Sequence, residues 1–350
     1  MIATVIFFII IIGLLITSHE FGHYLIGTMC GARVNEFTVG FGPKLFSFYK
    51  GETLFAVRLL PLGGACIFDG ADAVMGEEAD LDEHSLPNLP PLKRAATLIA
   101  GPFFNFLLSF LLGMILVGFT GVDLPVLNTI MEGSAAEEAG LMPGDVIRRI
   151  DGEHVHLYRE VSMISAMYSG GESMDIEYVR DGERHTVTVL PKYSEEDGRY
   201  YIGFTGGVEV KCNPLQIFRY AFYEVQYWVR YTIRSLGMLF TGKIGIDSLS
   251  GPVGMATMVN ETYEEVKPYG ITSIIFTMMN LLLLLSINVG IINLLPLPAF
   301  DGGKLIFALI ELVSGHRVPP EKEAIVHLAG TVGILVLMVV VMYHDIARLF

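Results

Sequence analysis

The chain has 350 residues, 52% hydrophobic and only 17% charged, with a mean hydropathy of +0.53. Soluble domains carry about 25% charged residues, so this composition excludes a disordered chain and leaves too little polar surface to coat one water-soluble core. A net charge of −14 argues against a nucleic-acid partner, which needs a basic face. Three scattered cysteines, Cys30, Cys66 and Cys212, make neither a disulfide framework nor a cysteine zinc site. A membrane protein remains.

In chain order, four stretches are apolar for long enough to cross a bilayer, which takes about 20 residues. The first covers 1–32, interrupted by one acid, Glu20. It lacks the basic start and cleavage site of a secretory leader, and its apolar run leads straight into histidine and glutamate. Residues 33–94 follow as a loop. The second span covers 95–122, between Arg94 and Asp123. A long segment, 123–267, precedes the third span at 268–300, which Asp301 closes. A short loop, 301–323, leads to the fourth span at 324–343.

Alternating spans put loops 33–94 and 301–323 on one side. They carry Arg33, Lys44, Lys50, Arg58, Lys93, Arg94, Lys304, Arg317 and Lys322. Basic residues in short loops stay in the cytoplasm. Both termini and 123–267 are therefore expected outside.

An ionisable residue inside a span is costly and marks function. Glu20 sits in His19-Glu20-Phe21-Gly22-His23. On a helix, this spacing turns two imidazoles to one face, where both can bind one Zn2+, with a carboxylate beside them as general base. The other reading is a polar cluster that hydrogen-bonds neighbouring helices. A catalytic zinc takes a third protein ligand. His84, His154, His156, His185 and His316 fall in loops or the outer segment. His327 lies in the fourth span, which runs opposite to the first, and reads as a hydrogen-bonded packing histidine. Asp301 closes a span that runs the same way as the first, so it reaches the depth of His19 and His23. Around it, Asn293-Leu-Leu-Pro296-Leu-Pro298-Ala-Phe-Asp301-Gly302-Gly303 breaks the helix at two prolines, freeing backbone groups that need a cavity or a protein partner. A plain helix-end charge is the alternative.

Together these two motifs resemble the bacterial site-2 proteases, the RseP-type zinc metalloproteases of intramembrane proteolysis. The likeness covers nearly the whole chain. It includes Gly40-Phe41-Gly42-Pro43, Arg58-Leu-Leu-Pro61-Leu-Gly63-Gly64, Ala100-Gly101-Pro102-x-x-Asn105, Ser250-Gly251-Pro252-Val253-Gly254 and Tyr343-His344-Asp345. Phe300 stands where the family commonly has leucine. The resemblance implies peptide hydrolysis with His19, His23 and Asp301 as zinc ligands and Glu20 as base. It implies membrane-spanning protein substrates, such as trimmed anti-sigma factors or remnant signal peptides. It links Asn293 to substrate positioning; a helix-to-helix hydrogen bond is the other use of that amide.

Within 33–94, Phe37–Tyr49 and Thr53–Leu60 are rich in β-formers and flank the turn Lys50-Gly51-Glu52. The resemblance turns this hairpin back toward the membrane, where an open edge can pair with an extended substrate. An ordinary cytoplasmic hairpin is the alternative. Glu77–Glu83 reads as a solvated loop. Outside, Ser134–Ile147 and Ile150-Asp151-Gly152 resemble the core of a PDZ domain, expected over 123–195, with Met174–Arg180 and His185–Leu190 paired around Asp181-Gly182. Such a module either binds peptide ends or excludes bulky ectodomains. In 196–267, residues 213–240 mix aromatics with Arg219, Glu224, Arg230 and Arg234, the pattern of an amphipathic helix at the outer interface.

The expected fold is a polytopic α-helical membrane protein with four transmembrane helices, a membrane-associated β-hairpin on the cytoplasmic side and an inserted extracytoplasmic PDZ (α+β) domain. It belongs in the lipid bilayer of a bacterial inner (cytoplasmic) membrane, with the site near the cytoplasmic face. The expected function is an intramembrane zinc endopeptidase. The alternative is a zinc-binding PDZ scaffold without turnover, and Glu20 speaks against it, because a structural zinc needs no base.

Overall fold

The computed structural model describes residues 2–70, 83–167, 171–195, 199–245 and 249–348. The acidic stretch read as a solvated loop lies almost wholly outside them. The helices are α1 (Ile2–Cys30), α2 (Pro91–Thr120), α3 (Ala135–Glu138), α4 (Tyr158–Met167), α5 (Pro214–Phe240), α6 (Pro252–Val266), α7 (Ile271–Leu294), α8 (Asp301–Ser314) and α9 (Pro320–Ala347). The strands are β1 (Val34–Lys50), β2 (Thr53–Phe68), β3 (Val122–Ile130), β4 (Val146–Ile150), β5 (Glu153–His154), β6 (Met174–Arg180), β7 (Glu183–Val189), β8 (Lys192–Ser194), β9 (Arg199–Tyr201) and β10 (Phe204–Val210). The chain forms two units, residues 1–112 with 232–350, and residues 113–231.

In the first unit, α1, α2, α7 and α9 are long and apolar enough to cross a membrane. Apolar side chains such as Val332, Leu335, Val336 and Val339 remain exposed on α9, as on a helix that faces lipid. The third apolar run behaves differently from its reading as one span to residue 300. Helix α7 stops at Leu294, because Pro296 and Pro298 donate no N–H and disfavour helix in the residue before each. Asp301 therefore does not close that helix; it opens α8 after a turn over 295–300. At the start of α6, Asp345 Oδ2 accepts the N–H groups of Gly251 and Gly254 at 2.9 and 2.8 Å. This joins two family motifs by one helix cap, since a Cβ at either glycine would press on that carboxylate.

The hairpin is longer than expected and folds over itself. Its turn holds Gly51 at φ +64°, and Lys50 pairs with Thr53. Gly40 and Gly42, at φ +92° and +87°, bend β1. The segment Glu36–Val39 is consequently flanked twice. Glu36 pairs with Leu54 and Val39 with Val57, partner numbers rising together, while on the other side Glu36 pairs with Ile67 and Val39 with Gly64. Among the described residues no further strand pairs with Gly64–Ile67, which forms an edge. Burial pushes the Glu36 carboxyl up, but Arg58, 2.6 Å away, and Lys44 outweigh it and hold it below the usual range.

In the second unit a sheet runs in the order β10-β3-β4-β6-β7, with β5 on β4. Ile147, Ile150, Leu157 and Ile176 are fully buried in its core, and Tyr227 of α5 joins them. Asp181 and Gly182, both at positive φ, make the two-residue turn expected between β6 and β7. The sheet does not end at residue 195. It takes in β10, whose Phe204 and Val210 pair with Ile130 and Val122. This strand lay in the segment read as linker, because Gly206 and Gly207 interrupt its β pattern.

Candidate metal centre

Helix α1 turns His19 and His23 toward α2. Glycines permit the approach: a Cβ on Gly22 would strike the Ala100 carbonyl, and one on Gly101 would strike His23 Nε2. Ser18 Oγ donates to Phe104 O at 3.0 Å, fixing the same contact. Asp301 arrives from the start of α8. Its Oδ2 lies 3.1 Å from His19 Nε2 and 3.2 Å from His23 Nε2, and the two Nε2 atoms are 3.2 Å apart. A tetrahedral zinc with bonds of about 2.0 Å sets its ligand atoms roughly 3.3 Å apart. The three atoms thus outline one face of such a tetrahedron, and the donor set suits Zn2+. Among the described residues these three form the group that could hold a metal.

The far ring nitrogens decide which tautomer each imidazole adopts. His23 Nδ1 donates to Thr97 O at 2.8 Å. His19 Nδ1 lies 3.3 Å from the amide of Asn105, a wholly buried residue whose Oδ1 has no hydrogen-bond partner among the described residues. A half-turn of that amide exchanges its ends. Oδ1 then accepts His19 Nδ1–H, and both Nε2 lone pairs face the cluster, as zinc ligation requires. Ser109 and Ser286 brace Asn105 by donating to its carbonyl, each at 2.9 Å. The sequence reading holds Asn105 as the last residue of the Ala100-Gly101-Pro102-x-x-Asn105 motif and does not assign it this part.

Glu20 is half-buried beside the hairpin: a Cβ on Gly64 of the β2 edge would lie 3.2 Å from Glu20 Cγ. Asn293 donates to Val289 O of its own helix at 3.0 Å, neither bridging helices nor touching the ligand atoms through that bond. His84 bonds Gly31 O and His316 bonds Ser314 O, while His154, His156 and His185 belong to the second unit. His327 stops short of the cluster but reaches the turn before Asp301, accepting Ala299 N–H at 3.2 Å. A cavity of about 390 Å³ lies one turn along α2 and α8, lined among others by Leu98, Lys304, Phe307 and His327; the three ligand residues do not line it.

Membrane-length helices around a His-His-Asp cluster, with a glutamate next to the first histidine, define a metal-dependent hydrolase set within the membrane. The model of peptidase family M50 matches residues 7–340. A zinc metalloprotease RasP from Geobacillus kaustophilus is 33% identical over 99% of this chain and 98% of the relative. The regulator of sigma-W protease RasP from Bacillus subtilis is 30% identical over 99% of each. A putative zinc metalloprotease from Clostridium acetobutylicum is 29% identical over 97% of this chain and 96% of the relative. Among solved structures, the PDZ domain of an SdrC-like protein from Listeria monocytogenes matches 24% of this chain and 86% of its own, at 19% identity and a TM-score of 0.22. The chain belongs to peptidase family M50, the site-2 proteases, and is an intramembrane zinc metalloendopeptidase.

Proposed function

We propose that His19, His23 and Asp301 hold the zinc and that Glu20 is the general base. The observation that carries this is the set of mutual separations, 3.1 to 3.2 Å, among one oxygen and two nitrogens that all present lone pairs. Zinc there supplies Lewis acidity, polarising a carbonyl and bringing the pKa of a water to about 7. Glu20 takes a proton from the attacking water and returns it to the leaving amine. Thr97 O and Asn105 keep the two imidazoles in the ligating tautomer.

The substrate is a single-span membrane protein. A transmembrane helix hides its carbonyls in hydrogen bonds, so it must open before it can be cut. The Gly64–Ile67 edge, beside Glu20, is suited to pair with the opened strand by β-addition. The Bacillus subtilis relative is named for regulating sigma-W, which supports a membrane-anchored anti-sigma factor as one substrate class; remnant signal peptides are the other. The basic residues of loops 33–94 and 301–323 support a cytoplasmic position for both, with the termini and 123–267, which holds the PDZ module, outside. Asn293 keeps its amide oxygen for a substrate backbone group.

The test is cleavage of a single-span substrate with a short ectodomain, co-expressed with the parent chain or its Glu20→Gln form. Loss of the base is expected to slow cleavage by about 10²–10⁴-fold while zinc stays bound. Cleavage by the Glu20→Gln form at the parent rate overturns the part given to Glu20.

A further inference from the structure

The turn that delivers Asp301 is strained, and a side chain outside the metal cluster holds it. Leu297–Phe300 is closed by Phe300 N–H to Leu297 O at 3.3 Å. Pro298 suits its second position. The third holds Ala299 at φ +76°, where this turn type calls for glycine. Among the described residues the other non-glycines at positive φ are Asp151 and Asp181, of a type that tolerates it. Ala299 N–H donates to His327 Nδ1 on α9. One turn along α9, a Cβ on Gly330 would strike Pro298. Gly302 and Gly303 close on the turn from the other side, against the Leu294 and Leu297 carbonyls. Asp301 stands two residues after Ala299.

Packing alone does not account for a histidine here. With Nδ1 accepting, Nε2 carries the proton, and among the described residues Nε2 is buried without a hydrogen-bond partner. The ring otherwise rests edge-on to Phe307, with centroids 5.6 Å apart. A leucine would avoid the unpaired N–H. What it would lack is the acceptor at Nδ1.

We propose that His327 is a positioning residue for the metal site. By fixing the Ala299 amide it holds turn 297–300 in its strained form, and so sets where Asp301 Oδ2 meets His19 and His23. This rests on the reading of Asp301 as third ligand. His327 itself touches neither metal nor substrate.

The test uses the full chain in nanodiscs, with zinc alone as probe in competition with a chelator, and circular dichroism to follow the helices. His327→Ala is expected to weaken zinc binding about 10–100-fold, the usual effect of losing a group that orients a ligand, with helical content retained. His327→Asn places an amide oxygen where Nδ1 stood and is expected to bind close to the parent. Ala299→Gly added to His327→Ala should recover most of the loss, because glycine takes positive φ without strain. Parent-like zinc binding in His327→Ala overturns the proposal. So does an equal loss in His327→Ala and His327→Asn that Ala299→Gly does not relieve, the pattern of a packing defect. Parent-like binding in Asp301→Asn overturns the ligand reading and this proposal together, and is told apart because it does not depend on residue 327.

Discussion

Both units bury acidic side chains, with opposite consequences. In residues 113–231, Asp145 is 1% exposed and receives Arg180 at 2.8 and 2.7 Å. Glu160 is wholly buried and accepts the N–H groups of His156 and Leu157, with Arg230 at 3.3 Å. Glu224 is met by Arg159 at 2.9 Å. Each charge is neutralised in place. In the membrane unit, Asp301 meets two imidazoles instead. Their Nδ1 atoms are engaged elsewhere, so they offer it lone pairs rather than protons. Location is not the reason, since Glu311 of the same unit has Arg94 beside it. A buried carboxylate surrounded by donors holds a fold together; the half-buried Asp301, set among acceptors, calls for a cation.

The sharpest break in that contrast is His23→Ala. On the proposed ligand set it removes one of three ligand atoms and should abolish both bound zinc, read by elemental analysis, and cleavage. Gly101→Ala is expected to come next, lowering zinc occupancy and turnover about 10-fold or more, since 1 Å of displacement in a site can cost 10²-fold. Its Cβ occupies the place of the His23 ring. Asp145→Ala tests the other side. It removes the acceptor of Arg180 and of the Met142 N–H and should destabilise the second unit by about 1–3 kcal/mol with zinc content unchanged. Zinc loss in that variant would defeat the division between structural and ligating carboxylates. Asp345→Ala removes the α6 cap and is expected to cost about 1 kcal/mol in denaturant unfolding.

The smallest effect is one of pH. Burial, with Arg230 next, brings the His156 imidazole down to about 4. An unfolded histidine titrates near 6.5, so between these values the unfolded chain binds more protons. Stability from His156 is therefore complete above about pH 6.5 and falls as pH drops toward 4. Burial raises the Glu160 carboxyl, which opposes the trend at the lower end, and partial exposure of the ring screens it further. Trp228, the chain's one tryptophan, lies in this unit and reports its unfolding. His156→Gln should flatten the slope.

Much of the site was legible in particular residues. Glu20 stands out as an acid in an apolar run, and its spacing to His19 and His23 places all three on adjoining faces of one helix. Asp301 was legible from the direction of its span, which brings it to the depth of the two histidines, and the two prolines reinforced the reading. Asn105 stands in a motif without a part and His327 reads as a hydrogen-bonded packing histidine, because the sequence of a span does not say which group an amide or imidazole meets. Strand β10 escaped because sheet edges are completed by remote pairing, not by local pattern.

By itself the sequence determined the membrane class, the four apolar helices and the two-histidine face, since composition and a 3.6-residue period are local properties. Only the tertiary structure decided that Asp301 opens a helix, that the hairpin folds over on Glu36–Val39, that the Asn105 amide stands against His19 and that His327 accepts from the turn before Asp301. Those facts rest on hydrogen-bond directions between residues distant in sequence: 86 positions for His19 and Asn105, 278 for His23 and Asp301. No local pattern carries a direction across that distance.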